Sequence, residues 1–431
     1  MSKMVLGSVL LICAISFCHA ANLPPARQQE RTDRPEIRRR IDLWRGATLL
    51  RGANIWQKVK DDRIVSAYTP QDLRDLAGWG ANYVNISHPG IYSVHKVRDR
   101  RTGRKEYVLD SALLANLENL IRWANDAGLF VVVAFRTGPE REEKIFDAED
   151  DTPPSKVFVD EGAQEAWRRM WLQAAESLRG YRNVVGYDLM VEPNTGGHPE
   201  RWDDLARGLV RAVRSADGGM PILLEGADGG TAQALCTLEP TICDAAGTPG
   251  GANVQNYDPT RNLIYAVHQY EPAPYTQQTE GDWEYECDPG RNYLKNRKGI
   301  PKPQQYVGFG PTEEGGLRRE YSRLAGWKAR GVPLAVNEFG VIRWAGRWER
   351  GKPKPEPDAH RFMQLQFEWL EESGFNHALW LWQPSECQGD DDFDFRHGQI
   401  FDGHRPTESE LGRVIRENWL KNTLRPSDVM Y

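Results

Sequence analysis

Apolar residues recur along the chain in short runs that are typical of buried β-strands. Eight runs, rich in Val, Ile, Leu and aromatic residues, cover residues 48–54, 81–87, 129–135, 184–191, 221–225, 263–268, 332–337 and 377–382. Runs this nearly continuous predict strands that are buried on both faces, because a strand with one wet face alternates apolar and polar residues. The pattern therefore predicts a parallel sheet that is covered by other elements.

Segments with the spacing of amphipathic helices lie between most of these runs. One opens at Thr69 and Pro70 with Asp72 at its third position, which is an N-terminal capping pattern. Another places apolar residues along one face of 111–127 and ends at Gly128. Further helices are predicted over residues 161–179, 201–216, 317–330, 358–373 and 407–422. Eight strands that alternate with helices favour an α/β fold, a closed (β/α)8 TIM barrel.

The barrel is predicted to be a single domain over residues 46–425, because neither a linker nor a sequence repeat interrupts that stretch. Long segments follow the third, fifth, sixth, seventh and eighth strands, at residues 136–160, 226–261, 271–314, 342–357 and 383–406. In such a barrel these loops lie on the C-terminal face, where catalytic residues collect.

The first 20 residues have the pattern of a secretory signal peptide. Lys3 precedes an apolar core at residues 5–17, and Cys18-His19-Ala20 provides a small-residue cleavage site. The alternatives are an N-terminal anchor and a buried strand, but the run is too short for a membrane span. The chain is therefore predicted to be secreted or periplasmic, with no membrane span after signal removal. Residues 21–45 are polar and rich in Arg and Pro, which predicts a flexible lead-in.

Charge excludes one class of partner, and aromatic content favours another. The formal net charge is −6, and removal of the signal with its lysine makes it −7 (−6 − 1). Such a chain has no basic footprint for nucleic acid, which excludes that partner. Fifteen Trp and fifteen Tyr offer flat apolar faces that serve a core and also stack on sugar rings.

Cysteine positions fit an exported chain. The cysteines beyond the signal are Cys236, Cys243, Cys287 and Cys387. They permit two disulfides with three connectivities, one of which joins Cys236 to Cys243 and Cys287 to Cys387. A zinc site is the alternative, but CxxC spacing and neighbouring histidines are both missing.

A glutamate comes directly after two of the apolar runs. Glu192 follows the fourth run and Glu338 the seventh, 146 residues later (338 − 192), so both are expected at the barrel mouth. Carboxyl groups about 5 Å apart suit a retaining glycosidase, whereas roughly 6.5–9.5 Å leaves room for the water of an inverting enzyme. A strand-end glutamate can also be a solvated loop residue or half of an ion pair. The occurrence of two, in these strands, favours catalysis.

These motifs resemble those of the clan A glycoside hydrolases, specifically glycoside hydrolase family 5. Glu-Pro closes the fourth strand and Glu-Phe-Gly the seventh, as in that family. The similarity covers most of the mature chain, with Arg-Gly-Ala-Asn at 51–54, Val-His-Gln-Tyr at 267–270 and Leu-Trp-Leu-Trp at 379–382. The resemblance implies that Glu192 is the acid/base and Glu338 the nucleophile of an enzyme that needs no cofactor.

The resemblance also implies binding roles around the two glutamates. His268 and Tyr270 would line the nucleophile, and Trp382 would form the floor of the −1 sugar site. The His-x-Tyr spacing puts both side chains on one strand face, where the tyrosine can hydrogen-bond Glu338 and the histidine can donate to Glu192 or a sugar hydroxyl. The alternative for all three is a place in the core.

Three positions depart from the family pattern. The family usually has Asn before the acid/base, Arg at the end of the second strand and His at the end of the third, where this chain has Val191, Asn85 and Arg136. One hypothesis is that Arg136 supplies the missing cation, because arginine keeps its charge and donates in a fork, while Asn85 takes over a hydrogen-bonding role. The alternative is that Arg136 pairs with Glu140 or Glu142. No residue replaces the lost Asn, so either the substrate differs at its 2-position or another loop reads that position.

Further candidates lie in the long loops. Trp283, Tyr285, Trp344 and Trp348 either stack on sugars at outer subsites or pack the loops onto the barrel, and Trp344 is included among the predicted substrate-binding residues. The acidic run at 390–394 either binds calcium or is a solvated loop, and no metal site is predicted there.

Together these features predict a retaining glycoside hydrolase that acts on O-glycosidic bonds of a β-linked oligo- or polysaccharide, such as a β-glucan or a mannan. Long sixth and eighth loops favour a partly closed site. One alternative is a carbohydrate-binding protein on a catalytically impaired barrel, which Val191 motivates and the retained glutamates oppose. Another is a transglycosylase, which would prefer a sugar to water as acceptor.

Overall fold

Eight parallel strands close into a barrel in the computed structural model, in the order β1 to β8 with β8 pairing back to β1. The strands are β1 Arg51–Trp56, β2 Tyr83–His88, β3 Phe130–Phe135, β4 Val184–Asp188, β5 Ile222–Glu225, β6 Leu263–Gln269, β7 Leu334–Phe339 and β8 Asn376–Leu379. Each falls on one of the eight predicted runs, which confirms the (β/α)8 fold class. The fourth strand ends at Asp188, three residues earlier than predicted (191 − 188).

The structure describes residues 39–46, 48–60, 63–66, 68–95, 105–141, 155–238, 262–277, 283–288, 291–296, 309–329, 331, 333–342, 348–349, 352–353, 359–384, 393, 395–396, 410–429 and 431. The chain divides into two units, Met1–Glu36 and Ile37–Tyr431, and the barrel belongs to the second. The signal peptide predicted at 1–20 lies outside the described residues.

Helices cover the barrel where the spacing predicts them. They are α1 Pro70–Gly78, α2 Ser111–Asp126, α3 Glu161–Leu178, α4 Pro199–Ala216, α5 Pro311–Lys328, α6 Ala359–Ser373 and α7 Glu410–Trp419. The capping pattern before α1 is confirmed, because the backbone N–H and the hydroxyl of Thr69 both donate to the Asp72 carboxylate, at 2.7 and 2.8 Å. Single helical turns lie at Arg40–Trp44, Lys156–Phe158, Ala234–Thr237, Ala273–Thr276 and Pro426–Asp428.

The loops on the C-terminal face contain short antiparallel hairpins. They pair Val59–Lys60 with Arg63–Ile64, Tyr92–His95 with Glu106–Leu109, Trp283–Asp288 with Arg291–Asn296, and Trp348–Glu349 with Lys352–Pro353. Cys236, after β5, is disulfide-bonded, whereas the predicted pairings themselves lie outside the described side chains. None of the described helices combines the length and the apolar composition that a membrane span needs.

The N-terminal end of the barrel is closed by an apolar plug. Ile41, Leu43 and Trp44 are buried there against the inward-facing residues of the strands, and the Trp44 indole N–H donates to the carbonyl of Val185 at 2.9 Å. The prediction of a flexible lead-in over 21–45 is therefore wrong for its last residues. The apolar spacing of 41, 43 and 44 fits a helical turn that fills the barrel floor.

Charged and amide side chains fasten the two ends of the chain to each other at this closed end. Arg51 of β1 binds both carboxylate oxygens of Glu371 on α6, each at 2.6 Å. The Asn422 amide, beyond α7, donates to the carbonyls of Arg51 and Gly80 at 3.1 and 2.9 Å. The last unit of the barrel is thus bound to the first by hydrogen bonds as well as by strand pairing.

Candidate active site

Glu192 stands at the mouth of the barrel, four residues beyond the end of β4 (192 − 188). Its backbone has a φ of 47°, a left-handed conformation that is uncommon for a residue with a side chain. Two charged side chains hold that backbone. The N–H of Glu192 donates to Glu225 Oε2 at 2.9 Å, and its carbonyl accepts from the Arg141 guanidinium at 2.7 Å. This local geometry fixes the direction in which the Glu192 side chain leaves the chain.

Glu338 lies on β7 and is largely buried, with 5% of its surface exposed. The Tyr270 hydroxyl donates to its Oε1 at 2.8 Å, which confirms the predicted hydrogen bond. The Arg136 guanidinium lies 3.9 Å from Oε2. Glu338 therefore has a hydrogen-bond donor from just beyond β6 and a guanidinium from just beyond β3, and both favour its ionised form.

His268 joins the two glutamates. Its Nδ1 lies 2.7 Å from Glu192 Oε1 and 3.7 Å from Glu338 Oε1. One carboxylate oxygen of each glutamate and one ring nitrogen all lie within 4.8 Å of one another. The structure thus brings together four of the residues predicted from the sequence: Glu192, Glu338, His268 and Tyr270.

Burial and neighbouring charges separate the protonation behaviour of these groups. Burial raises the pKa of Glu338 to about 7, and the Glu192 charge adds to this while His268, Arg136 and the Tyr270 hydroxyl oppose it. Burial also acts to raise the pKa of Glu192, but His268 outweighs it and lowers that pKa below its ordinary value. Near neutral pH the pair therefore holds one proton, which these shifts place on Glu338 when no substrate is bound.

His268 is surrounded by acids. Burial acts to lower its pKa, but the charges of Glu225, Glu338 and Glu192 outweigh that effect and raise the pKa well above its ordinary value. Its Nε2 lies 3.0 Å from Glu225 Oε1, so both ring nitrogens face carboxylate oxygens. The spacing of Glu192, His268 and Glu338 would also suit a metal ion, which would have to displace the proton from the His268 nitrogen that binds it.

Arg136 lies against two tryptophans. Its guanidinium carbon is 5.1 Å from the ring centre of Trp56 and 5.0 Å from that of Trp380, and the two rings are 5.6 Å apart. The alternative partner Glu140 pairs with Lys105 and the Tyr107 hydroxyl. The aromatic pair keeps Arg136 directed at Glu338, which agrees with its predicted place beside the nucleophile.

Asn85 does not reach the mouth, so its predicted contact with substrate is wrong. Its amide donates to Asn54 Oδ1 at 2.8 Å and to the Asn337 carbonyl at 3.4 Å, and only 2% of the residue is exposed. β2 continues for three more residues, to His88. Asn85 therefore belongs to a layer of asparagines beneath the carboxylates, and it helps to hold that layer together.

The prediction for Trp382 is also wrong. Its side chain is fully buried, its indole N–H donates to the Asp72 carbonyl at 3.0 Å, and it packs on Trp79 under α1. A ring enclosed in that way cannot face a sugar. Trp380, two residues earlier, lies beside Arg136 instead. In a continuous strand residues 380 and 382 would share one face, but β8 ends at Leu379, so the two tryptophans have different surroundings.

The remaining predicted loop residues receive no test. Trp344, Glu142 and most of the acidic run at 390–394 lie outside the described residues, as do the side chains of Trp283, Tyr285 and Trp348. Their contact with substrate stays a prediction.

Sequence reasoning missed four residues of the site: Asp188, Glu225, Arg141 and Trp380. A usable signal existed for Glu225, because it ends the fifth apolar run as Glu192 and Glu338 end the fourth and seventh. No local pattern marks Arg141, whose fully buried guanidinium also binds the carbonyls of Arg136 and Val191. Val191 itself is buried, with 2% exposed, and presents no polar side chain to the site.

A TIM barrel with two facing glutamates at its mouth has the architecture of a glycoside hydrolase. The protein-family model for Cellulase (glycosyl hydrolase family 5) matches residues 49–386 of the chain. The chain belongs to that family and is a glycosidase. Endoglucanase A of Ruminococcus albus is 22% identical over 192 residues, which are 42% of this chain and 46% of that protein. The match thus spans about half of the curated relative's length.

Solved structures of low sequence identity share the fold. Thermotoga maritima Cel5A in complex with cellobiose, in mutant form, has a TM-score of 0.59 at 16% identity and covers 88% of this chain and 99% of its own. The same enzyme with mannotriose has a TM-score of 0.57 at 17% identity, over 87% and 100%. The cellulose synthase subunit CcsZ of Clostridioides difficile has a TM-score of 0.56 at 15% identity, over 85% and 99%.

Proposed function

We propose that the chain is a retaining β-glycosidase in which Glu338 is the nucleophile and Glu192 the acid/base. The observation that carries this proposal is the spacing of the two glutamates, whose nearest oxygens lie within 4.8 Å of each other. Retaining enzymes hold their carboxyl groups about 5 Å apart, which is too close for a water molecule and a sugar to fit between them as inversion requires.

The surroundings of each glutamate support these roles. Glu338 has the Tyr270 hydroxyl and the Arg136 guanidinium beside it, and 7% of its side chain is exposed. Glu192 has 25% of its side chain exposed. A nucleophile benefits from fixed orientation away from water, whereas the acid/base must reach the leaving oxygen and later an incoming water.

In the first step a Glu338 oxygen attacks the anomeric carbon, the bond to the leaving oxygen breaks, and Glu192 gives its proton to that oxygen. In the second step Glu192 removes a proton from water, the water oxygen attacks the same carbon, and the bond to Glu338 breaks. The shared proton must lie on Glu192 when the first bond breaks. Positive charge that develops at the anomeric carbon favours an ionised Glu338, and the leaving oxygen provides an acceptor beside Glu192.

We infer a β-linked oligo- or polysaccharide as substrate, with β-glucan and mannan as the first classes to test. Val191 offers no hydrogen bond to a sugar 2-hydroxyl, since its side chain is aliphatic and its carbonyl accepts from Arg141. Position 191 therefore provides no contact that would select one configuration at the sugar 2-position, and we expect glucosides and mannosides to be accepted with more similar efficiency than in an enzyme with a hydrogen-bonding side chain there.

The test is hydrolysis of a panel of aryl β-glycosides and of cello- and manno-oligosaccharides by the wild type, Glu192→Gln and Glu338→Ala. Glu338→Ala is expected to abolish turnover, and Glu192→Gln to lower kcat by about 10²–10⁴-fold. The first sugar released should keep its anomeric configuration in an NMR time course. Binding without turnover by the wild type would support the carbohydrate-binding alternative, sugar acceptors preferred over water would support a transglycosylase, and an inverted product would contradict the assignment of Glu338.

Glu371→Gln is a matched control for that experiment, because it makes the same chemical change at the closed end of the barrel, where Glu371 pairs with Arg51. Its turnover per folded molecule should equal that of the wild type.

We further propose that the enzyme works outside the cytoplasm. The signal pattern of residues 1–20 and the disulfide-bonded Cys236 support export, because structural disulfides persist in oxidising compartments. N-terminal sequencing of the protein recovered from culture medium or periplasm tests this proposal, and a chain that is retained in the cytoplasm with residue 1 in place would contradict it.

A further inference from the structure

We propose that Glu225 is a positioning residue for the acid/base glutamate, and that it holds His268 as a doubly protonated ring that donates to Glu192. One oxygen of Glu225 accepts the backbone N–H of Glu192 at 2.9 Å, and the other lies 3.0 Å from His268 Nε2. His268 in turn reaches the Glu192 carboxylate from its opposite nitrogen, at 2.7 Å. Glu225 thus binds the backbone of Glu192 directly and positions its side chain through His268.

The Glu225 carboxylate is itself fixed. It is the last residue of β5 and is fully buried, and its own carbonyl accepts the indole N–H of Trp202 on α4 at 2.8 Å. Gly230 lies so close that a Cβ at that position would be 2.5 Å from Glu225 Oε2. His268 is also held through its backbone, since its N–H donates to the Gly230 carbonyl at 2.8 Å. The acid and the ring therefore have little freedom to separate.

The hydrogen-bond pattern defines the protonation of the ring. Each ring nitrogen faces a carboxylate oxygen, and carboxylates only accept, so both nitrogens must carry a proton to bond both. The titratable groups of the described residues that face His268 lie on β4, β5 and β7 and in the segment after β4: Asp188, Glu225, Glu338 and Glu192. The guanidinium of Arg136 lies beside Glu338. The charges of Glu225, Glu338 and Glu192 favour the imidazolium.

Asp188 completes the arrangement beneath Glu225. It is fully buried, and burial and the charge of Glu225 raise its pKa well above its ordinary range. The Asn337 amide donates to Asp188 at 2.5 Å and to Glu225 at 3.3 Å. A protonated Asp188 adds no second negative charge beside Glu225, so Glu225 remains available as an acceptor for His268 and Glu192.

This inference rests on the proposed acid/base role of Glu192. With the imidazolium beside it, Glu192 is stabilised as a carboxylate, which is the form it needs when it activates water in the second step. The backbone bond from Glu192 to Glu225 keeps the same side chain within reach of the leaving oxygen in the first step. Glu225 contacts no reacting atom and acts only through its two partners.

The test is the pH dependence of kcat/KM for Glu225→Gln, an isosteric change. An amide can still accept the Glu192 N–H, but its NH₂ then faces His268 Nε2, which must give up its proton to accept. The ring becomes neutral while Nδ1 still donates to Glu192. Because the lost positive charge lies nearer Glu192 than the lost negative charge, both limbs of the pH profile should move to higher pH. We expect kcat to fall by about tenfold to a hundredfold with KM nearly unchanged.

Glu371→Gln is again the matched control, because its pH profile should coincide with that of the wild type. A Glu225→Gln profile that also coincides with the wild type, whatever its stability, would overturn the proposal. If Glu225→Gln does not fold, ¹⁵N NMR of the histidine side chains in the wild type gives the decision, with the His268 signal assigned from His268→Gln. Both ring nitrogens should be protonated at pH 7, and a neutral ring would overturn the proposal. The NMR result needs no substrate, so it distinguishes failure of this inference from a wild type that hydrolyses no glycoside.

Discussion

The two ends of the barrel bury side chains of opposite chemical character. At the N-terminal end the interior is filled by Trp44, Tyr83, Phe130 and smaller apolar residues. At the C-terminal end the interior holds Asp188, Glu225, His268, Glu338 and Arg136, each with at most 6% of its surface exposed. Apolar burial stabilises the fold, whereas burial of charges costs free energy unless every charge is paired. Apolar burial at the closed end therefore offsets the free-energy cost of the charges that are buried at the open end.

Substitution of a tryptophan at each end should give the largest effects, on stability at the closed end and on activity at the open end. Trp44→Ala should destabilise the protein by about 3–5 kcal/mol, because it removes a buried ring, leaves a cavity and takes the indole donor away from the Val185 carbonyl. Activity per folded molecule should not change. Denaturant unfolding and kcat/KM, measured on the same samples, check both statements.

Trp380→Ala is the matched variant at the open end and should show the reverse: a lower kcat/KM with a smaller loss of stability, since it removes the ring beside Arg136. Equal losses of stability at the two ends would contradict the comparison.

The ion pair at the closed end gives a smaller effect with a definite pH dependence. Glu371→Gln should lower the free energy of unfolding by about 2 kcal/mol at pH 7, because it removes the charge that Arg51 binds. Although burial acts to raise it, the bonds from Arg51 lower the pKa of Glu371 to about 2, from an ordinary value of 4.5. The stabilisation is therefore fully present above pH 4.5 and is lost as the pH falls toward 2. Unfolding curves of wild type and variant should converge in that range, and a gap that persists at pH 2 would contradict this assignment.

The alkaline limb of the pH–activity profile is the corresponding test at the open end. Activity requires one proton on the Glu192–Glu338 pair, and Glu338 has a pKa of about 7. Above that pH the pair loses its proton, so kcat/KM should fall about tenfold per pH unit. A profile that is flat from pH 7 to 9 would show that the pair holds its proton more tightly than the structure indicates.

Tyr270→Phe should produce the smallest effect, a small shift of the same alkaline limb. It removes a hydrogen bond that lowers the pKa of Glu338 and leaves the ring in place, so the alkaline limb should move upward by a fraction of a pH unit. Comparison of the fitted limbs in the same buffer series checks it, and a limb that moves downward would contradict the role given to the hydroxyl.

The fold could be predicted from the sequence because its signal is repeated. A strand buried on both faces must be apolar throughout, and eight such runs separated by amphipathic helices leave few arrangements other than a barrel. The glutamates, His268 and Tyr270 followed from strand ends, since parallel strands end at the same rim.

The other site residues could not be predicted, because their roles depend on how high each side chain lies in the barrel and where it points, and no local sequence pattern encodes either. Asn85 lies one layer too low, because the height of a side chain in a barrel depends on the stagger between strands. Trp380, not the predicted Trp382, lies beside Arg136, because both tryptophans follow the end of β8 and strand geometry no longer sets their directions. Arg141 and Asp188 act on partners remote in sequence, and Glu225 needed the position of His268 before its role became visible.

The bonds from Asn422 to Arg51 and Gly80 have a consequence for the order of events during synthesis. Until residues 376–422 have emerged from the ribosome, β1 can pair with β2 on one side, but its other edge has no partner strand. The seam between β8 and β1 can close only after residues 376–422 are available to fold. Until then the chain carries two unpaired strand edges, and a chaperone that shields strand edges would bind it during that interval and release it once α7 has docked.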